Sequence, residues 1–501
     1  MSVPANVIVI VLDSLNRHML GAYGGREFAT PNLDRFAKRA LKFNRHVVGS
    51  LPCMPARHDM LCGALDFLWR PWGSVEIWED AITYPLRKAG VVTQLISDHP
   101  HLFETGGENY HSDFAGWDYQ RGHEGDAWKT RPDPSWAGAP RFGRGHMPYD
   151  NARGWFRGEA DFPGPRTMAA TAKWIAENAG YHKRFMLFVD EFDPHEPFDT
   201  PEPYASMYDR DWEGPHLIWP PYMQGAIAKG VLSERQGRQV RAQYGGKLTM
   251  IDAWFGRVLD EMEAANLWED SAVFVCTDHG HYLGEKDCWG KPAVPIYDTL
   301  GHIPLLVAWP GQAPREIEAL TTSVDLYATL AEVFGVSTRQ RTHGRSLVPL
   351  ITGKVSSVRD WALMGVWGRE VHITDGRWKY ARAPVGRNEP LAMLSNRWST
   401  MPTHVLARER ELPLPDQRAV LGRMPGSTVP VIKQVWDASD NVPFWAWAQF
   451  TGHHLFDLAN DPGENDNRAG SADEGRMIEL LRGALSEVEA PAEQFVRLGL
   501  S

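Results

Sequence analysis

The sequence predicts an α/β fold with a mostly parallel central sheet flanked by helices. Three observations predict it. Apolar runs without alternation recur, from "NVIVIVLDS" (6–14) to "SAVFVCTDHG" (271–280), and such runs read as strands buried on both faces. Segments of helical spacing separate them. Acids and histidines follow the strands directly: Asp13, Asp98 with His99, Asp193 with His195, and Asp278 with His279. Open α/β sheets bind ligands at the C-terminal edge of their strands, so four such tips build a site.

The elements follow in order. "TPNLDRFAKRALKF" (30–43) opens on Thr-Pro and carries Leu33, Phe36, Ala37 and Leu41 at helical spacing. "AITYPLRKAGVVTQLISDH" (81–99) reads as helix, glycine turn and strand. "RTMAATAKWIAENAG" (166–180) is a helix, and "RFMLFVDEFDPHEPF" (184–198) a strand with a polar loop. "RQVRAQYGGKLTMIDAWFGRVLDEMEAANL" (238–267) has long helical periodicity, and "IPLLVAWPG" (303–311) is a further strand. Beyond about residue 355 the texture changes. "VHITDGRWKYARAP" (371–384) is a hairpin around Asp-Gly. "HHLFDLANDPGENDN" (453–467) is a strand and turn, and "EGRMIELLRGALSEV" (474–488) an amphipathic helix. The expected division is a catalytic domain over 1–355 and a smaller α+β domain with an antiparallel sheet over 356–501.

Composition bounds the function. The chain has 501 residues, 43% hydrophobic and 23% charged, ordinary for a globular protein. A net charge of −11 argues against nucleic acid as a partner, since such binders are basic. Four cysteines do not make a disulfide framework in so long a chain, and Cys276 and Cys288 lack zinc-type spacing. The apolar run Val7–Leu12 is too short for a membrane span and has no basic leader; the expectation is a cytoplasmic protein with no membrane partner. The Trp-rich stretch "VWDASDNVPFWAWAQF" (435–450) is a subunit interface of a homo-oligomer or a pocket wall.

Asp13, Asp278 and His279 offer two oxygens and a nitrogen, a set that suits one divalent cation: Ca²⁺ or Mn²⁺, with Zn²⁺ also compatible. Arg57, Lys291, His195, His99 and His101 supply positive charge or protons. A metal with fixed cations neutralises the oxygens of a tetrahedral anion, so these residues favour hydrolysis of a small anionic sulfate or phosphate ester. Cys53 stands among them as a thiolate or as a packing residue.

"CMPARHDMLCG" (53–63) resembles the sulfatase signature Cys-x-Pro-x-Arg. "NVIVIVLDS", "TPNLDRFA", "TDHGHYLGEKDCWGK", "TTSVDLYATLAEVFGV", "HGRSLVPLITGK" and "HHLFDLANDPGENDN" resemble further sulfatase landmarks, in family order from residue 6 to about 467. The resemblance implies the alkaline-phosphatase-like fold and oxidation of Cys53 to formylglycine by a maturation enzyme. It implies that Asp13, Cys53 as formylglycine, Asp278 and His279 hold the metal. It gives Arg57 the task of steadying the geminal diol, and Lys291 that of binding the oxyanion and leaving oxygen. His195 in "DPHEPF" becomes the candidate general acid. One diol hydroxyl attacks sulfur, and the other then loses its proton and expels sulfate.

The sequence also departs from the pattern. Ser14 replaces a second Asp common in the family, so the metal has one fewer anionic ligand unless Ser14 or Asn16 lends an oxygen. "SDHPHLFE" (97–104) replaces the usual Lys-Trp-His element, putting Asp98 near the place of a sulfate-binding Lys and leaving His99 or His101 as the base. The Asp-His metal pair also resembles phosphonate monoester hydrolases and phosphodiesterases of the same superfamily. Sulfate, phosphodiester and phosphonate esters are all open. The loop 101–128 follows a strand tip, and Asp98, His111, Arg121, His123 and Glu124 are its candidate substrate contacts. Two other readings remain: a metal phosphohydrolase with unmodified Cys53, and a non-catalytic sulfatase-like binder. The second is disfavoured by the complete residue set.

Overall fold

A computed structural model describes residues 3–133, 148–338, 342–398, 415–437, 439–440 and 450–501. Its largest sheet has eight strands, in the order Glu316–Thr322, Leu41–Val47, Leu305–Ala308, Ser271–Cys276, Asn6–Leu12, Phe185–Glu191, Val92–Ser97 and Gly116–Tyr119. Leu305–Ala308 is antiparallel to both neighbours, and the other pairings are parallel. The mixed α/β architecture expected from the apolar runs is therefore present.

The strand Asn6–Leu12 shows why those runs do not alternate. Ile8, Ile10 and Leu12 pack on one face, with the helices Pro163–Asn178 and Glu234–Ala264. Val7, Val9 and Val11 pack on the other, with the helices Cys53–Cys62 and Asp325–Phe334. Each such side chain contributes about 1.5–3 kcal/mol by leaving water. Parallel pairing brings the strand ends to one edge: Asp13 follows Leu12, Asp98 follows Ser97, and Asp278 stands just past Cys276.

One sequence expectation needs correcting. The helix expected through Leu41 ends at Ala37, and Leu41–Val47 is a strand. Leu41 and Phe43 are buried and alternate with half-buried Lys42 and Asn44. That period of two, against a parallel partner, outweighs the helical spacing.

A second sheet is antiparallel: Ala362–Gly365, Val371–Thr374, Trp378–Arg382 and His454–Asp457. The expected hairpin lies within it, turning at Asp375 and Gly376, whose φ of 87° suits glycine. A third antiparallel sheet joins Leu391–Ser395, Pro430–Trp436 and Val420–Arg423. The second sheet reaches the stretch before Cys53. The Leu51 N–H donates to the Gly365 carbonyl at 2.9 Å, and the Gly365 N–H to the Gly49 carbonyl at 3.0 Å. A Cβ on Gly365 would lie 2.2 Å from the Phe67 ring, so only glycine permits this approach.

Of the Trp-rich stretch, residues 441–449 lie outside the described residues. Trp436 is buried with Leu391 and Met393. Among the described residues no helix is long and apolar enough to cross a membrane.

Candidate active site

Cys53 is the first residue of the ten-residue helix Cys53–Cys62, which ends at Gly63 with φ 75°. Every residue of this helix is buried, although Arg57, His58 and Asp59 are polar. Buried charge must be paired, and here it is. Asp59 accepts from the Ser50 N–H and hydroxyl at 2.6 and 2.7 Å. His58 Nε2 lies 2.5 Å from Glu79. The helix N-terminus, with its partial positive charge, points residue 53 into the site.

Cys53, Asp13, Asp278 and His279 bring donor atoms within 4.8 Å of one another, all buried. His279 Nδ1–H donates to the Gly280 carbonyl at 2.9 Å. Its Nε2 lone pair therefore faces inward, 3.3 Å from Cys53 Sγ and 3.2 Å from Asp278 Oδ2. Burial and then Asp278 push Asp13 well above the usual carboxylate range. Against burial, His279 and then Arg57 hold Asp278 well below it. Two facing carboxylates, a thiol and an inward imidazole lone pair form a set short of positive charge, and they fit a divalent cation. Ser14 fits as a neighbour: its hydroxyl donates to Asp13 at 2.7 Å and its N–H to Asp278 at 3.0 Å. Its φ of 61° is a left-handed strain of the kind found at functional sites. Asn16 does not fit as a ligand, because its amide binds the His281 carbonyl and the His18 N–H, both at 2.9 Å.

Arg57 contacts the acids and the backbone of residue 53. Its N–H donors are largely engaged by protein partners. Nε donates to Asp190 Oδ2 at 2.9 Å and Nη2 to Asp190 Oδ1 at 2.6 Å. Nη2 also pairs with Asp13 at 2.9 Å. Nη1 bonds Asp278 at 2.5 Å and the Cys53 carbonyl at 3.2 Å. With 0% exposure, Arg57 holds the three acids and the backbone carbonyl of residue 53. Asp190 escaped the sequence reading. Burial opposes its charge, but Arg57 and then His99, with their hydrogen bonds, together hold its pKa at about 2. The signal was an acid inside the apolar run "FMLFVDEF".

Lys291 Nζ is 3.5 Å from Cys53 Sγ and donates to His195 Nε2 at 2.8 Å. His195 Nδ1–H donates to the Glu196 carbonyl at 2.7 Å, and burial pushes the ring well below its ordinary pKa. His195, expected as general acid, is thus a neutral ring that accepts a hydrogen bond, and the proton sits on Lys291. Burial and then Asp13 push the Cys53 thiol up against Lys291 and Arg57, so the protein's own charges do not make it a thiolate.

His99 and His101 separate. His99 is fully buried, with Nδ1 3.5 Å from Asp190 and Nε2 without a hydrogen-bond partner. Burial and then Arg57 lower its pKa to about 3. His101 sits between Glu104 and Glu124. Against burial, these acids raise it to about 10, so it is an imidazolium and no base. Phe192 lies between His99 and His195, its ring centroid 4.5 and 4.2 Å from theirs.

The other proposed substrate contacts are held by protein partners. Asp98 is buried and accepts from the Phe192 N–H at 2.8 Å. Burial and then Asp193 push it up to about 8. His123 Nε2 lies 2.8 Å from Asp193 and 3.3 Å from Lys247 Nζ. His111 binds the Leu102 carbonyl at 2.9 Å and packs on Phe103 and Trp117. Arg121 is clamped to Asp126 at 2.7 Å. Lys247, also missed, pairs with Asp193 at 2.7 Å and donates to the Pro197 carbonyl at 2.6 Å. Its signal was a lysine in the apolar stripe Tyr244, Leu248 and Ile251.

Comparison with known proteins agrees with this geometry. The Sulfatase family profile matches residues 5–336. A choline-sulfatase of Rhizobium meliloti is 26% identical over 415 residues, covering 75% of this chain and 77% of that protein. The multifunctional alkaline phosphatase superfamily protein PehA of Trinickia caryophylli is 27% identical over 427 residues, covering 71% and 78%. The crystal structure of a phosphonate monoester hydrolase of Agrobacterium radiobacter superposes with a TM-score of 0.63 at 19% identity, covering 97% of this chain and 95% of that one. With the profile spanning most of the chain on this fold, the protein belongs to the sulfatase family.

Proposed function

We propose that the protein hydrolyses small sulfate esters at residue 53, matured from cysteine to formylglycine, beside one divalent cation. The observation that carries this is the buried convergence of Cys53, Asp13, Asp278 and His279, with Lys291 3.5 Å from the sulfur. Asp13, Asp278, His279 and residue 53 would hold Ca²⁺ or Mn²⁺, which lowers the cost of charge on the ester oxygens. The hydrated aldehyde would supply the attacking hydroxyl, and a second hydroxyl whose deprotonation releases sulfate.

The chain's own side chains do the rest. Lys291 holds a proton next to the leaving oxygen and balances its charge. His195 accepts a hydrogen bond from that ammonium and fixes its direction. Arg57 keeps the acids in register and grips the carbonyl of residue 53. His99, neutral with a free Nε2, is the base for the second hydroxyl; charged His101 is not.

The test combines peptide mass spectrometry with a panel of aryl sulfate, aryl phosphodiester and phosphonate monoester. A peptide at residue 53 about 18 Da lighter than the cysteine form and preference for the sulfate support the reading. Full activity with intact Cys53 would sink the formylglycine step. A second reading, phosphonate monoester or phosphodiester hydrolysis, is favoured by the Asp278–His279 pair and Ser14. Preference for those esters in the same panel would select it.

A further inference from the structure

We propose that Asp190 sets the ester charge that the site accepts, selecting singly charged esters over doubly charged phosphate monoesters. This rests on the reading above that residue 53 is where an anionic ester reacts. Asp190 lies within the strand Phe185–Glu191 and is 1% exposed. It is a positioning residue. Its carboxylate takes the Nε and Nη2 edge of Arg57 at 2.9 and 2.6 Å, and its backbone carbonyl accepts from the Ser97 hydroxyl at 2.8 Å.

Two consequences follow. The Nε–Nη2 edge is the planar fork with which arginine grips two oxygens of a tetrahedral anion. Asp190 occupies that fork, which leaves Lys291 as the cation nearest residue 53 on the substrate side. The second consequence concerns total charge. Three carboxylates, Asp13, Asp190 and Asp278, surround Arg57, Lys291 is a second cation beside them, and buried Glu196 lies behind Lys291 and His195. With the divalent cation that the donors fit, those three acids and two cations sum to one positive charge, and Glu196 lowers that total equally with or without Asp190. Without Asp190 that sum would be two. A sulfate monoester carries one negative charge and a phosphate monoester at pH 8 carries two, on groups of nearly the same shape. Buried charges are weakly screened, so one charge more or less decides between them.

The test measures binding, so it needs no turnover and no maturation. In a C53A background with saturating Mn²⁺, calorimetry at pH 8 gives the affinities for 4-nitrophenyl sulfate and 4-nitrophenyl phosphate. The parent should bind the sulfate about tenfold or more tightly than the phosphate; equal affinities overturn the proposal. Asp190→Asn should shift the phosphate-to-sulfate ratio upward by about tenfold or more, whereas Asp190→Glu should keep the parent ratio. Asp190→Ser is the second neutral variant if the asparagine form does not fold. A purely structural role would weaken both ligands together, and an unmoved ratio in a folded neutral variant overturns the proposal. If the ratio moves but the matured protein turns over no sulfate ester, the hydrolytic reading fails and the role of Asp190 stands.

Discussion

Two buried ionic clusters lie near His195, and they use similar ingredients differently. One surrounds Arg57 with Asp13, Asp190 and Asp278. The other surrounds Lys247 with Asp193, His123 and the neighbouring acids Asp98 and Glu191. Each has three carboxylates and one resident cation. Arginine reaches all three partners through its rigid fork, whereas the lysine ammonium pairs with Asp193 alone. In the second cluster the surplus acids are pushed up by burial, Asp98 to about 8. The lysine is its built-in cation, and its other bond, to the Pro197 carbonyl, fixes the loop that carries His195. In the first cluster the raised acid, Asp13, faces a thiol and an inward imidazole lone pair. That arrangement leaves a place for a further cation. The first cluster is the one the proposed reaction uses, and the second holds the backbone beside it.

Three experiments can break or sharpen this contrast. The largest effect is expected from Arg57→Lys. A lysine cannot bond three carboxylates and the Cys53 carbonyl at once, so kcat/KM for an aryl sulfate should fall by about 10³ or more, with metal content also reduced. Retained metal and near-normal activity would remove Arg57 from the centre of the site. Lys247→Met should act through position alone. It leaves buried Asp193 with only His123 beside it and frees the Pro197 carbonyl, so kcat should drop about ten- to a hundredfold. Metal content and the mass at residue 53 should stay unchanged, with partial rescue by Lys247→Arg. A parallel loss of metal would merge the two clusters into one.

The smallest effect concerns stability. His101 has its folded pKa raised to about 10, above an unfolded value of about 6.5. A raised pKa stabilises fully below the unfolded value, and that contribution disappears as pH climbs through the folded one. Urea unfolding should therefore show the wild type losing about 2–4 kcal/mol relative to His101→Gln between pH 6 and pH 10.5. Parallel curves for the two proteins would show that the Glu104–His101–Glu124 contact stores no such energy.

Much of the centre was legible in the sequence. Asp13, Cys53, Asp278, His279, Lys291 and His195 fall together in space, because their positions follow strand ends or a motif that local order encodes. The partners of those residues were not legible. Asp190 and Lys247 look like ordinary charges on a strand and a helix, and only tertiary packing turns them inward. The loop 101–128 does line a cavity, with Phe103, Trp117, Tyr119, Arg121 and Asp126 on its wall, but the sequence did not show that His123 turns inward to Asp193. The helix expected through Leu41 failed because two periods overlap there, and the parallel neighbour chose between them.

The bond between Leu51 and Gly365 also orders events in time. Protein synthesis runs at roughly 5–20 residues per second, so the strand that closes against the Cys53 stretch emerges on the order of tens of seconds after the cysteine does. Until then the stretch before Cys53 lacks its last wall, and afterwards Cys53 is 3% exposed. The maturation of Cys53 proposed above would have its opening in that interval, while the chain is still being made, and slowing translation between the two points should then raise the matured fraction.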